Sequence, residues 1–253
     1  MKQVLMIVVL SLLGCGGKEG TYKPTDETLN KHLIKITHDK KGLEIGGPSP
    51  ATARLIYEHV SSLDNLVSSR STVWAKHADT YRFSENKSGN VLINDATALT
   101  SVSDASYDFV FASHVLEHIA NPIKALLEWQ RVVIPGGYII LILPNREFTF
   151  DHKRKISSFD KILAQYTNGA TEADLPTLEE ILASHDLSMD LPAGTFEQFK
   201  ARSLKNFENR CLHHFVYSPK LLDEIRTYLK GNFVYTVTEG IDIWYIFQKP
   251  LKD

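Results

Sequence analysis

From residue 42 to residue 145 the chain alternates short apolar runs with amphipathic stretches, and no other feature limits its fold as much. GLEIG (42–46) is followed by SPATARLIYEHV (49–60), where Leu55, Ile56 and Val60 supply an apolar stripe and Ser49 and Pro50 suit the N-cap and first helical position. NVLINDATAL (90–99) is a strand pattern reaching Asp95, and YDFVFASHVLEHI (107–119) is another that ends in a polar cluster. NPIKALLEWQRVVIPGGYIILILPN (121–145) reads as a helix, a PGG turn and an apolar strand, with Leu126, Leu127, Val132 and Val133 on the buried side of the helix. Strands separated by helices pair in parallel, and such sheets bind ligands beyond the carboxyl ends of their strands. Gly46, Asp64, Asp95, Ser113 and His114 are expected at those ends.

Two glycine clusters compete for the role of ligand loop. A loop that cradles a nucleotide needs a strand before it and a helix after it, because helix N-termini and exposed backbone N–H groups do the binding. LLGCGGKEG (12–20) fails this test, since Pro24 and its polar neighbours leave no helix directly after the glycines. The apolar run before it, VLMIVVLSLL behind Met1 and Lys2, is shorter than the roughly 20 residues of a membrane span. A positive start, a short apolar core and small residues resemble a secretory signal, and LLGC resembles a lipoprotein box that would make Cys15 the lipidated residue. Residues 1–20 are therefore set apart as an apolar N-terminal segment, signal-like or unstructured, from a domain spanning 21–253. GLEIGGPSP (42–50) passes the test: Gly46 and Gly47 make the turn, and Asp64 follows by about 20 residues, the spacing of an acid that holds a ribose hydroxyl.

Composition narrows the partners. Hydrophobic residues at 43% and charged residues at 23% are those of a globular domain able to bury its own core. A formal net charge of −2 gives no reason to expect a nucleic-acid partner, and no stable membrane span is expected. The two cysteines, Cys15 and Cys211, lack metal or disulfide-framework spacing.

LEIGGPS, then DATAL, then YDFVFASHVLEHIANPIKALLEWQRVVIPGGYIILILPN together resemble the class I S-adenosylmethionine-dependent methyltransferases, and within them the methyltransferase type 11 group. The resemblance implies an α/β, Rossmann-like, doubly wound seven-stranded sheet, closed by an antiparallel hairpin similar to NFVYTVTEG and IDIWYIFQK meeting near Gly240. It implies S-adenosylmethionine as cofactor, with Gly46 and Gly47 around its amino-acid part and Glu44 orienting that loop. Asp64 is then the ribose acid, Asp95 the acceptor for the adenine amino group with Ala96 beside the ring, and Ser113 and His114 face the methionine part. The family loop ends in a third glycine, where this chain has Ser49 and Pro50.

SHVLEHI places His114, Glu117 and His118 within one helical turn. HExxH spacing is missing and no metal site is expected, which leaves a structural role or base catalysis for His118. Residues 146–214 exceed a minimal fold and are expected to form a helical, lid-like insertion that selects the acceptor. Asp151, His152 and Arg154 are expected to line its pocket, with His213 or His214 facing them and His118 or His152 as base. The acceptor is expected to be a small molecule or glycan-related, the latter by analogy with relatives carrying FTFDHxR. Cofactor supply favours the cytoplasm, and the N-terminal segment points to export or membrane anchoring. A non-catalytic nucleotide-fold binding protein is the alternative, disfavoured by Asp64 and Asp95; a nicotinamide oxidoreductase lacks its G-x-G-x-x-G.

Overall fold

A computed structural model describes residues 24–69 and 80–251. The signal-like and lipobox readings of residues 1–17, Cys15 included, lie outside the described residues. The chain runs α1 (Glu27–Thr37), β1 (Lys41–Ile45), α2 (Arg54–His59), β2 (Ser62–Val67), β3 (Thr80–Arg82), β4 (Ser88–Ile93), β5 (Tyr107–Ser113), α3 (Pro122–Val132) and β6 (Val133–Pro144). Helices α4 (Phe159–Thr167), α5 (Leu178–Ser184), α6 (Phe196–Ser203) and α7 (Asn206–Asn209) build the insertion, and α8 (Pro219–Tyr228), β7 (Asn232–Glu239) and β8 (Asp242–Gln248) close the fold.

The strand order is β3-β4-β2-β1-β5-β6-β8-β7. Five strands, β4-β2-β1-β5-β6, are parallel, and β8 and β7 are antiparallel to their neighbours. The seven expected strands are present, and the three-residue β3 adds an eighth by folding back antiparallel on β4. The final hairpin turns at Gly240, whose φ of +56° suits a residue without a side chain.

Alternation along the central strands fills both faces. Val110 and Ala112 of β5 and Ile139 and Leu141 of β6 pack with Ile123, Leu126 and Trp129 of α3. Phe109, Phe111, Ile140 and Ile142 pack on the other face with Leu29 and Leu33 of α1 and Leu55 and Ile56 of α2. Each such side chain contributes about 1.5–3 kcal/mol when fully buried, so the two clusters hold the sheet rigidly under the site.

Three local expectations change. Leu127 is exposed, and Trp129 takes its place on the buried side of α3, where its indole N–H donates to the Ala96 carbonyl at 2.9 Å. Helix α2 starts at Arg54 rather than beside Ser49, because the Ser49 carbonyl closes a turn by accepting from Thr52 and Ala53, and the Ser49 N–H donates to the Tyr57 hydroxyl. The PGG turn lies inside β6, where Gly136 takes φ +77° and the register against β5 shifts.

Candidate functional site

The loop after β1 is built on its own strand. Gly46 has φ +93° and donates its N–H to the Leu66 carbonyl, bringing the loop to the level of the end of β2. A side chain at Gly46 would meet Val115 at 2.7 Å, and one at Gly47 would meet the Glu44 carboxylate at 2.1 Å. Both positions therefore need glycine for space, and Gly46 needs it for its backbone as well. Glu44 lies fully buried beneath the loop and accepts from the hydroxyls of Tyr57 (2.9 and 3.1 Å) and Tyr81. Burial pushes its carboxyl up to about 7, against the opposing pull of Tyr81, Ser49 and Tyr57. The Tyr57 hydroxyl that donates to Glu44 also accepts from the Ser49 N–H, which ties the carboxyl to the loop.

Asp64 does not reach the carboxyl edge. It pairs opposite Leu43 in the middle of β1, and both its oxygens are used inside the sheet. Oδ1 accepts from the backbone and side-chain N–H groups of Asn90 at 2.9 and 2.8 Å, and Oδ2 accepts from the Tyr107 hydroxyl at 2.9 Å. The reason is length: α2 has only six residues, yet β2 runs on to Val67, so the strand end falls at Ser68 and Ser69 instead. Asp64→Ala is expected to lower stability by about 1–3 kcal/mol, because buried donors lose their acceptor, while leaving cofactor affinity unchanged. Urea unfolding alongside calorimetric titration checks this, and a selective loss of affinity would restore the ribose role.

Asp95 lies two residues beyond β4, at the carboxyl edge of the sheet, where open α/β sheets bind ligands. Its Oδ1 accepts from the Thr97 N–H (2.9 Å) and hydroxyl (2.8 Å), and its Oδ2 pairs with Arg210 of the insertion at 3.2 Å. Burial raises its pKa, but the Thr97 hydrogen bonds and the Arg210 charge outweigh it and leave the pKa lowered. Ala96 is fixed beside it by the Trp129 hydrogen bond.

Ser113 ends β5 and shares a 2.7 Å hydrogen bond with Thr52 of the glycine loop. His114 takes φ +52°, which breaks the helical turn expected for SHVLEH; only Leu116–His118 form a short 3₁₀ turn. His114 donates Nε2–H to Asp242 at 2.7 Å. Burial lowers its pKa, but Asp242 and Glu117 outweigh that effect and hold it above the ordinary value.

The 3₁₀ turn faces the insertion. His118 Nδ1 lies 3.1 Å from the Leu212 carbonyl, and its ring meets His213 edge-on at 4.5 Å between centroids. Burial and the neighbouring His213, His214 and His114 hold the His118 pKa well below ordinary, so the ring is neutral at neutral pH. Glu117 is buried, and neither carboxylate oxygen has a hydrogen-bond partner among the described residues. One ligand atom from each of Glu117, His118 and His213 falls within 4.8 Å of the others.

The insertion is pinned across this edge. Glu172 accepts from the Ala120 N–H (2.7 Å), from Asn206 and from His214 (both 3.0 Å), and His214 donates its backbone N–H to the Glu117 carbonyl at 2.7 Å. Arg154 is fully buried and spends its donors on Asp151, Glu180 and the carbonyls of His213 and His214, so it organises the insertion rather than lining a pocket. His152 pairs with Asp186 at 2.8 Å inside the insertion, and His213 is the histidine brought against His118. Asp151 binds His213 Nδ1 at 2.6 Å; it reaches the site through that ring. Thr52, Glu172 and Asp242 carried no signal in the sequence, since their partners lie 34 to 128 residues away.

The family model described as "Methyltransferase domain" matches residues 47–141, the stretch from the glycine loop through β6. No curated protein matches the chain. Among solved structures, a SAM dependent methyltransferase from Aquifex aeolicus is similar at 13% identity, covering 95% of this chain and 97% of that one, with a TM-score of 0.53. SAM-dependent methyltransferases from Methanosarcina mazei give 15% identity, 91% and 100% coverage, and a TM-score of 0.53. The trans-methyltransferase CalH in complex with SAH gives 14% identity and a TM-score of 0.50, over 87% of this chain and 54% of its own. At these identities the structural likeness carries the fold, and the family match carries the domain.

Proposed function

We propose that this chain, an S-adenosylmethionine-dependent methyltransferase of class I with its methyltransferase domain at residues 47–141, moves the methyl group to a small-molecule or glycan-related acceptor held beneath residues 146–214. The observation that carries the acceptor assignment is the docking of the insertion on the carboxyl edge itself, through Arg210 on Asp95, Glu172 on Ala120 and His214 on Glu117. A segment so placed determines what reaches the methyl group.

S-adenosylmethionine supplies a sulfonium-activated methyl, and the protein's task is alignment and exclusion of water. Gly46 and Gly47, shaped by Glu44, leave room for the amino-acid part; Asp95 and Ala96 take the adenine; Ser113 and His114 close the methionine end. Where the acceptor is a hydroxyl, its proton leaves at the cluster of Glu117, His118 and His213 rather than at His152, which is engaged with Asp186. Nothing in the comparisons favours a non-catalytic binding role.

Titration calorimetry with S-adenosylmethionine and S-adenosylhomocysteine tests the reading. Asp95→Ala is expected to weaken binding by about 1–3 kcal/mol, and a chain starting at residue 22 to bind as the full one does. Unchanged affinity in a folded Asp95→Ala protein would remove Asp95 from the site.

A further inference from the structure

A buried carboxylate without a hydrogen-bond partner demands a cause, because an ionised group removed from water costs several kcal/mol unless a partner charge or proton compensates it. Glu117 is such a group: its side chain is 1% exposed, and the nearest basic nitrogen among the described residues, His114 Nδ1, is 3.9 Å away, too far for a hydrogen bond. Two histidines face the same point, and each is held through its Nδ1. His118 Nδ1 meets a backbone carbonyl, which can only accept, so Nδ1 carries the proton and Nε2 the lone pair. His213 Nδ1 meets the Asp151 carboxylate at 2.6 Å, and Arg154 Nη1 anchors Asp151 from the other side at 2.9 Å. Histidines oriented through one ring nitrogen by a carbonyl or carboxylate are the usual arrangement behind a bound metal ion.

We propose that Glu117, His118 and His213 form a binding site for one divalent first-row cation, zinc being the best fit to two imidazoles and one carboxylate. Three protein ligands leave a fourth position open in a tetrahedral ion, as in zinc sites that act on a substrate. The three ligand atoms lie within 4.8 Å of one another, whereas bonds of about 2.1 Å place tetrahedral ligands roughly 3.4 Å apart. Closing the site takes shifts of about 1 Å, within the reach of side-chain rotation on the 3₁₀ turn. Two ligands come from the turn after β5 and the third from residue 213, so the ion joins the sheet edge to the insertion. Its open position takes an acceptor oxygen, hydroxyl or carboxylate, whose ionisation the cation favours. In the sequence a metal reading of this cluster is set aside because HExxH spacing is missing, and the third ligand, His213, lies far along the chain.

Metal binding is measured without cofactor or acceptor, so it stands or falls apart from the proposed methyl transfer. The full chain, stripped with chelator, is titrated with Zn²⁺ and separately with Co²⁺. One Zn²⁺ per chain is expected with a micromolar or tighter Kd, and Co²⁺ should give the visible bands of a tetrahedral ion. Glu117→Gln and His213→Ala should each weaken binding about 100-fold, and Asp151→Asn, which loosens only the orientation of His213, about 10–100-fold. Stoichiometric binding that persists in both ligand variants overturns the site. So does failure of the wild-type chain to bind either ion, which would mean that Glu117 is simply protonated. Should the variants misfold, the wild-type protein still decides: an infrared band of protonated carboxyl that survives Zn²⁺ saturation, or histidine NMR signals unmoved by Zn²⁺, is incompatible with the proposal.

Discussion

Arg154→Ala is expected to destabilise the protein by about 3–5 kcal/mol, the cost of breaking a buried ion pair from one side. Its guanidinium is fully buried; it donates twice to Glu180 (2.8 and 3.0 Å), once to Asp151 (2.9 Å) and to the carbonyls of His213 (2.7 Å) and His214 (3.2 Å). Removal leaves Asp151 buried with a negative charge and only His213 to balance it. That carboxyl is held down at about 2 although burial raises it, with His213 and then Arg154 overcoming the burial. Lysine at 154 would restore the charge without the planar fork and recover only part of the loss. Urea unfolding and limited proteolysis check the prediction: cleavage should concentrate in 146–214. A variant with wild-type stability would show that the Arg154 network does not hold the insertion.

Glu44→Gln should stabilise the chain at alkaline pH and do little in acid. The carboxyl sits at about 7 in the folded protein against 4.5 when unperturbed. Between those values the folded state holds a proton that the unfolded state has released, so stability falls as pH rises through the window. At one unit of pKa per about 1.36 kcal/mol, the accumulated cost above pH 7 is about 3 kcal/mol, which glutamine avoids while still accepting from Tyr57 and Tyr81. Unfolding free energies of both proteins at pH 5 and pH 8 isolate the effect, since all other groups cancel in the difference. A difference independent of pH would place Glu44 ionised throughout and contradict the burial argument.

The sequence revealed those parts of the fold that local chemistry determines. GLEIGG announced a strand and a tight loop because apolar alternation and paired glycines act over a few residues, and the apolar stripe with Leu126 and Val132 announced α3 for the same reason. Asp64 misled because a spacing of about 20 residues presumes a helix of ordinary length, and α2 is short. The helical reading of SHVLEH failed because one residue at positive φ, His114, cancels helical periodicity, and such residues are only a few per cent of non-glycine positions. The partners of the insertion were illegible in principle: Arg210 finds Asp95 across 115 residues, and no periodicity reaches that far. The polar and aromatic composition of residues 146–214 suggested that Arg154 lines a pocket, but its guanidinium is buried on partners that composition does not reveal.

The Arg210–Asp95 pair has a kinetic meaning. If Asp95 accepts from the adenine amino group, the cofactor approaches an Oδ2 that Arg210 already holds at 3.2 Å, and the two compete for it. The Asp95 side chain is 40% exposed, and an ion pair this open is screened by added salt, whereas a neutral amino group hardly is. Ionic strength then acts on the competitor more than on the ligand: moderate salt loosens the arginine's hold and tightens cofactor binding, the reverse of the ordinary response of a charged site.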